Sequence, residues 1–271
     1  ILVEVEGRDS GGRTIQTQQS YKAGKNAIYF VIEPKKGFYL EKETIEIESN
    51  RLTINDTAAQ GASSYEVFTL ADTPAKTLTK IGYNYRGYWG WIPPLDVQLK
   101  DVPNGKSVAR GEIKHGKDGI GTTRLSPLPQ GAYRIILKSR DQWGTEVEQR
   151  KIFVVAKNIE EAVPVNATSV TLVEKNEYKI GDVARFVIGS GLTSGLYHLE
   201  LWAGKHFLRH QLIEGNQPVR LIEIPVTKEM KGGFTLRWFG VKEFDVYYGQ
   251  ATISVPWKEK KLNVFLEPFN K

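Results

Sequence analysis

The 271-residue sequence contains no cysteine. That excludes disulfides, thiolate nucleophiles, cysteine-ligated zinc and any acyl thioester, while leaving the compartment open. Long apolar runs are missing too: none approaches the roughly eighteen residues that a membrane helix needs, so direct membrane insertion is not expected. Helical periodicity is nearly absent, since only the short polar "AKNIEEAVPV" offers a candidate and Pro164 ends it. The opening "ILVEVEGRDSGG" lacks a charged segment followed by an apolar one and reads as the middle of a strand. The expectation is a piece cut from a longer polypeptide.

What is present describes a folded globular protein: 40% hydrophobic residues, 25% charged residues, 26 glycines and 12 prolines. The length suits two domains of about 100–150 residues each. A net charge of +6 is spread along the chain, with one dense basic run at Lys258–Lys261 that reads as a solvated linker. No nucleic-acid partner is expected.

Periodicity favours strands almost throughout. From residue 170 onward "SVTLVE", "VARFVIGS", "LYHLELWAG", "HFLRHQLI", "VRLIEIPVT", "FTLRWFGVK" and "FDVYYGQATISV" alternate apolar and polar residues between Gly, Ser, Asn and Pro signals. Residues 28 to 156 read the same way, from "AIYFVIE" to "EVEQRKIFVV". Short strands at this spacing indicate an all-β fold of tandem immunoglobulin- or fibronectin-III-like antiparallel β-sandwiches.

Internal matches divide the chain. "EGRDSGGRTIQ" at Glu6–Gln16 matches "KSRDQWGTEVE" at Lys138–Glu148, and "IEPKKGFYLEKETIEIES" at Ile32–Ser49 matches "VEKNEYKIGDVARFVIGS" at Val173–Ser190. "LEPFNK" at Leu266–Lys271 looks like another opening. The expected organisation is the C-terminal strands of a preceding domain over 1–27, a complete sandwich with an aromatic-rich insertion over 28–157, a second sandwich over 166–256, and the first strand of a following domain over 258–271. The stretch "VAKNIEEAVPVNATS", 155 to 169, should join the two complete sandwiches.

"EYKIGDVARFVIGS" is similar to the signature joining the first two strands of macroglobulin-type domains, usually Tyr-x-Pro-Gly-Glu before an alternating strand. "DVYYGQATISVPWKEKKLNVFLEP" looks like the end of one such domain entering the next, and "QGAYRIILKSRDQWG" resembles the strand-turn-strand that closes one. The resemblance is to the bacterial alpha-2-macroglobulin family. Ile180 stands where that family usually has proline, and Glu41-Lys42 stands in place of Pro-Gly. The resemblance implies macroglobulin domains in a large exported protease trap, periplasmic or membrane-anchored in a Gram-negative bacterium. It implies neighbouring macroglobulin domains as partners, and proteases met through the full-length protein. The family's thioester motif and a bait-like segment are both missing here, so the stretch is expected to contribute architecture and no enzymatic activity.

Other chemistry is thinly signalled. His198, His206 and His210 cluster in sequence, but on a strand His206 and His210 would stand about 13 Å apart, too far for one metal ion. "GKDGIG" at Gly116–Gly121 lacks the Lys-Ser/Thr of a phosphate loop and reads as a hairpin turn. Asp9, Asp141 and Asp182 occupy turn positions, where a carboxylate caps free amides. The serines at 62–64 lack a nucleophile-elbow frame. No catalytic, metal or cofactor-binding residue is assigned, and no cofactor is expected.

The densest unexplained feature is "GYNYRGYWGWIPP" at 82–94. Tyr83, Tyr85, Tyr88, Trp89 and Trp91 form a possible contact surface. They would either present ring faces to a sugar or a partner, or pack against their own or a neighbouring sandwich. The first reading belongs to an alternative function, a tandem carbohydrate-binding or adhesin module.

Overall fold

The computed structural model describes residues 1–73, 75, 92–193 and 195–256. Tyr83, Tyr85, Tyr88, Trp89 and Trp91 therefore lie outside the described residues, as does the expected strand at 258–271.

The described fold is all-β. A hairpin of Leu2–Arg8 (β1) and Thr14–Ser20 (β2) stands alone at the start. A first sandwich follows. One sheet is built from Ile28–Pro34 (β3), Ile45–Thr53 (β5) and Ile120–Leu125 (β8). The other comprises Tyr39–Leu40 (β4), Gly61–Leu70 (β6), Asn104–His115 (β7), Gly131–Arg140 (β9) and Glu146–Ala156 (β10), in the order β4-β10-β9-β6-β7. A single helical turn, Leu95–Gln98 (α1), lies between β6 and β7.

The second sandwich repeats the plan. Val170–Val173 (β11), Val183–Gly189 (β12) and Val219–Pro225 (β15) form one sheet, in the order β11-β12-β15. Tyr197–Ala203 (β13), His206–Ile213 (β14), Phe234–Lys242 (β16) and Asp245–Ile253 (β17) form the other, ordered β14-β13-β16-β17. Pairing is antiparallel except at one edge of each sandwich. There Tyr39 and Leu40 run parallel to Val155 and Ala156, and Glu177 bridges Ser254 in parallel.

Each sandwich encloses its own apolar core, as period-two alternation requires. In the first, Phe30, Ile45, Ile47, Val67, Ile135, Leu137 and Phe153 meet, with Tyr133 stacked on Phe153 at 5.4 Å. In the second, Phe186, Tyr197, Leu199, Phe234, Leu236 and Trp238 meet. There the Trp238 indole packs edge-on against Tyr197 and donates to Thr171 Oγ1 at 2.8 Å.

The matched segments are the same turns built again. Asp9 Oδ1 accepts from the N–H groups of Gly11 and Arg13 at 2.9 and 2.8 Å, and Asp141 Oδ1 accepts from those of Trp143 and Thr145 at 3.0 and 2.8 Å. In both, a glycine with φ of 80°, Gly12 or Gly144, turns the chain. The segments entering β5 and β12 also superpose in their hydrogen bonds. Leu40 N–H donates to Glu43 Oε2 at 3.1 Å, and Lys179 N–H donates to Asp182 Oδ2 at 2.8 Å. This pairs Tyr39 with Tyr178, two residues out of step with the ungapped sequence match. Both tyrosines are buried and tie their hydroxyls to the following strand, at the Glu46 carbonyl and the Arg185 N–H.

"GKDGIG" makes the tight turn expected of it, with Gly116 N–H bonded to the Ile120 carbonyl at 3.0 Å. It is not a hairpin within one sheet, because β7 and β8 belong to opposite sheets of the sandwich. Just before it, His115 is buried and its Nε2 lies 2.9 Å from Ser49 Oγ.

Two outcomes follow from these contacts. Lys42 holds φ of 73° where its counterpart Gly181 holds 93°, a conformation costly for a residue with a Cβ. Lys42→Gly should therefore raise stability by about 0.5–1 kcal/mol in chemical denaturation, and Gly181→Ala should lower it by about 1 kcal/mol. Burial, aided by the Arg51 cation, holds the His115 imidazole below its usual 6.5. Such a group favours folding fully above the unfolded value and loses that contribution as pH falls on through its depressed folded value. A melting midpoint followed from about pH 8 to about pH 5 should drop once pH passes below the imidazole range, and less steeply in His115→Gln.

Candidate functional site

A third apolar cluster lies where the two sandwiches meet. The sequence "KIFVVA" of β10 sends Phe153 and Val155 into the first core, while Ile152, Val154 and Ala156 face the other way. Against them pack Val170 of β11, Val187 of β12, and Val219 and Leu221 of β15, together with the buried Phe38 and Leu99. The joining segment completes the cluster, because Val163, Val165 and Ala167 are all buried in it. The stretch 155–169 thus connects the sandwiches without being a solvated linker throughout. In its second half Val163, Val165 and Ala167 turn inward while Pro164 and Asn166 face out, and Val163 N–H bonds to the Val219 carbonyl at 2.8 Å.

Polar groups fix the edges of this patch. Lys36 Nζ reaches Glu174 at 2.8 Å and Glu43 at 2.9 Å, and Arg185 approaches Glu174 at 3.4 Å from the other side. Glu174 is only 2% exposed. Burial opposes its ionisation, but the Lys36 ammonium, helped by the Arg185 and Lys175 charges, offsets this and holds the carboxyl below its usual 4.5. Burial likewise opposes the charge of Lys36, and its bonds to Glu174 and Glu43 hold the ammonium above its usual 10.5. Each partner of a buried pair keeps its charge through the other.

Gly37 follows Lys36 and bonds its N–H to the Glu174 carbonyl at 3.2 Å. A Cβ at this position would stand 2.0 Å from the Val173 carbonyl oxygen. Only glycine lets the two backbones come so close.

Helical turn α1 braces the opposite flank. Asp96 accepts from Ile152 N–H and from Lys151 Nζ, each at 2.6 Å. Gln98 donates to the Ser169 carbonyl at 2.8 Å and accepts from Thr168 N–H at 2.9 Å, so one amide side chain pins the joining segment.

Tyr83, Tyr85, Tyr88, Trp89 and Trp91, the contact surface expected from sequence, lie outside the described residues, and Gly37, Lys36, Asp96, Gln98 and Glu174 were not among the expected site residues. The available signal was the unbroken apolar run in β10, which exceeds what a half-buried strand needs. Of the histidines, His206 does not join His210; His198 does, from the neighbouring strand. Among the described residues no three His, Cys, Asp or Glu side chains converge as metal ligands.

No protein-family model and no curated protein matches the chain. Solved structures similar to it include Escherichia coli alpha-2-macroglobulin in its native conformation, at 13% identity and a TM-score of 0.32 over 93% of this chain and 16% of that one. Another is Escherichia coli alpha-2-macroglobulin activated by porcine elastase, at 11% identity and a TM-score of 0.33 over 94% and 24%. A tetra-tandem repeat in the extending region of a large adhesion protein is similar at 10% identity and a TM-score of 0.28 over 94% and 56%. The chain thus spans between 16% and 24% of those two macroglobulin chains. At this level of similarity nothing about activity passes from those proteins to this chain.

Gly37→Ala tests the junction. Because backbone obstructs the added methyl, the substitution should cost about 1–3 kcal/mol, as overpacking does. Amide exchange should accelerate at Val163, whose N–H bonds across the junction, and stay slow at Leu199 in the second core. Unchanged exchange at Val163 would show that the close approach is not what holds the sandwiches together.

Proposed function

We propose that this chain is a structural β-sandwich segment of a bacterial alpha-2-macroglobulin-like protease inhibitor, supplying frame and domain contacts without a reactive site of its own. The observation that carries the reading is the repeated module. One turn chemistry recurs at Asp9 and Asp141, another at Glu43 and Asp182, and the two full sandwiches share a buried seam. The macroglobulin-like signatures around Tyr178 and Asp141 support the choice of family. On this reading 28–157 and 166–256 are macroglobulin domains, and 258–271 starts another.

The first hairpin supports the same organisation. By the match of Asp9 with Asp141, Val3 and Val5 correspond to Ile135 and Leu137, and Ile15 corresponds to Val147. The latter three are buried in the first core, at no more than 4% exposure. Val3, Val5 and Ile15 are 43%, 57% and 68% exposed. The hairpin carries the inward stripe of a sandwich, so residues 1–27 read as the closing strands of a preceding domain.

The trap would be exported, periplasmic or membrane-anchored. Its partners would be the neighbouring macroglobulin domains and, through the whole protein, the proteases it captures. The segment would not be an enzyme and would need no cofactor.

An excess of the purified chain should leave trypsin-like and elastase-like proteases fully active on a large protein substrate. The intact polypeptide should reduce that activity. A large substrate is required because a trapped protease still cuts small peptides. Dose-dependent inhibition by the chain alone would overturn the frame reading. Soluble glycans should leave its tryptophan fluorescence unchanged, whereas a saturable response would favour a carbohydrate-binding module.

A further inference from the structure

Folding joins two of the three clustered histidines on the outer face of the second sandwich. On that face β13 presents His198, Glu200 and Trp202, while Tyr197, Leu199 and Leu201 turn into the core. Glu200 pairs directly with His210 of β14, and His198 pairs with Leu212. The two imidazoles therefore meet diagonally across the strands, with His198 Nδ1 and His210 Nε2 3.0 Å apart. Phe239 of β16, opposite His198, lies parallel to its ring at 4.6 Å and sets its orientation.

We propose that His198 and His210 form a two-imidazole site for one divalent transition-metal ion of the zinc or copper type. The spacing is the first argument. Imidazole nitrogens bind zinc at about 2.0–2.1 Å, so two of them on a tetrahedral ion stand about 3.3 Å apart, a few tenths of an ångström from the present separation; with ring centroids 5.2 Å apart the nitrogens now face each other head-on, so the His210 ring turns to bring both lone pairs onto the ion. For the ion to enter, the N–H that lies between the two nitrogens moves to the other nitrogen of its own ring, and both rings then bind as neutral imidazoles through the nitrogens that face each other.

The setting is the second argument. The stack on Phe239 orders one ligand in advance, which lowers the entropic cost of binding. Glu200 stands beside His210 and accepts from the Trp202 indole N–H at 2.9 Å, placing negative charge next to the ion. Arg237, paired with Glu200 from β16 and 5.5 Å over the Trp202 ring, tempers that field. With two protein ligands, water completes the coordination shell. His206 pairs with Ala203 at the far end of the strand and takes no part. The ion would staple edge strand β14 to β13. The site does not depend on the protease-trap reading.

Calorimetric titration of the full chain with Zn²⁺ near neutral pH should show one ion per molecule and a zinc-dependent rise in melting midpoint. His198→Ala and His210→Ala should each weaken binding by about tenfold or more and abolish the thermal response, while His206→Ala should preserve both. All three positions are outward-facing, and the metal-free melting midpoint of each variant shows whether it folds. No binding at millimolar zinc, or equal binding in the His198 and His210 variants, would overturn the site.

Discussion

The organisation of the molecule depends on the end of β10, residues 152–156, being buried on both faces. Its Phe153 and Val155 belong to the core of the first sandwich, and its Ile152, Val154 and Ala156 belong to the seam with the second. A strand with one wet face can slip in register at the cost of one apolar set. A strand between two cores would exchange both sets at once, so its register is doubly fixed. The fixed register extends outward. Tyr39 and Leu40 pair onto the end of β10, which positions Lys36, Gly37 and Phe38 against Val173 and Glu174 of the next sandwich.

Much of this was legible in the sequence. Period-two alternation gave the strands, and the repeated Arg-Asp and Tyr-containing segments gave the module, because a turn demands particular residues at particular positions. The sheet partnerships and the seam were not legible. β7 and β8 look like a hairpin, since a tight turn reads the same whether the strands stay in one sheet or part into two. Gly37 looks like any turn glycine, because its reason is the Val173 carbonyl far along the chain. His198 and His210 fail every spacing rule for ligands on one element, since their proximity comes from pairing between strands.

Buried cations show how the sandwich ends are held. Arg134 is 3% exposed and donates to the carbonyls of Leu99 and Val102 and to Asn104 Oδ1, at 2.6 to 2.8 Å. Arg220 is 5% exposed and donates to the carbonyls of Gly195 and Glu214 at 2.6 and 3.0 Å. Neither forms an ion pair among the described residues; carbonyl dipoles solvate the charge. A guanidinium fork with several carbonyls in fixed places defines a loop more closely than one carboxylate would. These arginines therefore order the connections at the sandwich ends, which suits a part whose work is to hold position.

The seam combines three interactions that respond to different conditions. The apolar cluster weakens with cold and denaturant and is indifferent to pH. The approach of Gly37 to Val173 is steric and answers only to substitution. The Lys36–Glu174 pair is electrostatic. Glu174, with its pKa depressed, contributes above the carboxylate range and loses its contribution as pH falls through its folded value; Lys36, with its pKa raised, contributes until pH rises through its own. Between those limits the pair persists, and salt acts weakly on it because Glu174 is out of reach of water. Within that pH window the apolar cluster answers to cold and denaturant and the Gly37 approach to substitution, so a change of pH alone leaves all three in place and the junction rests on contacts of different physical kinds.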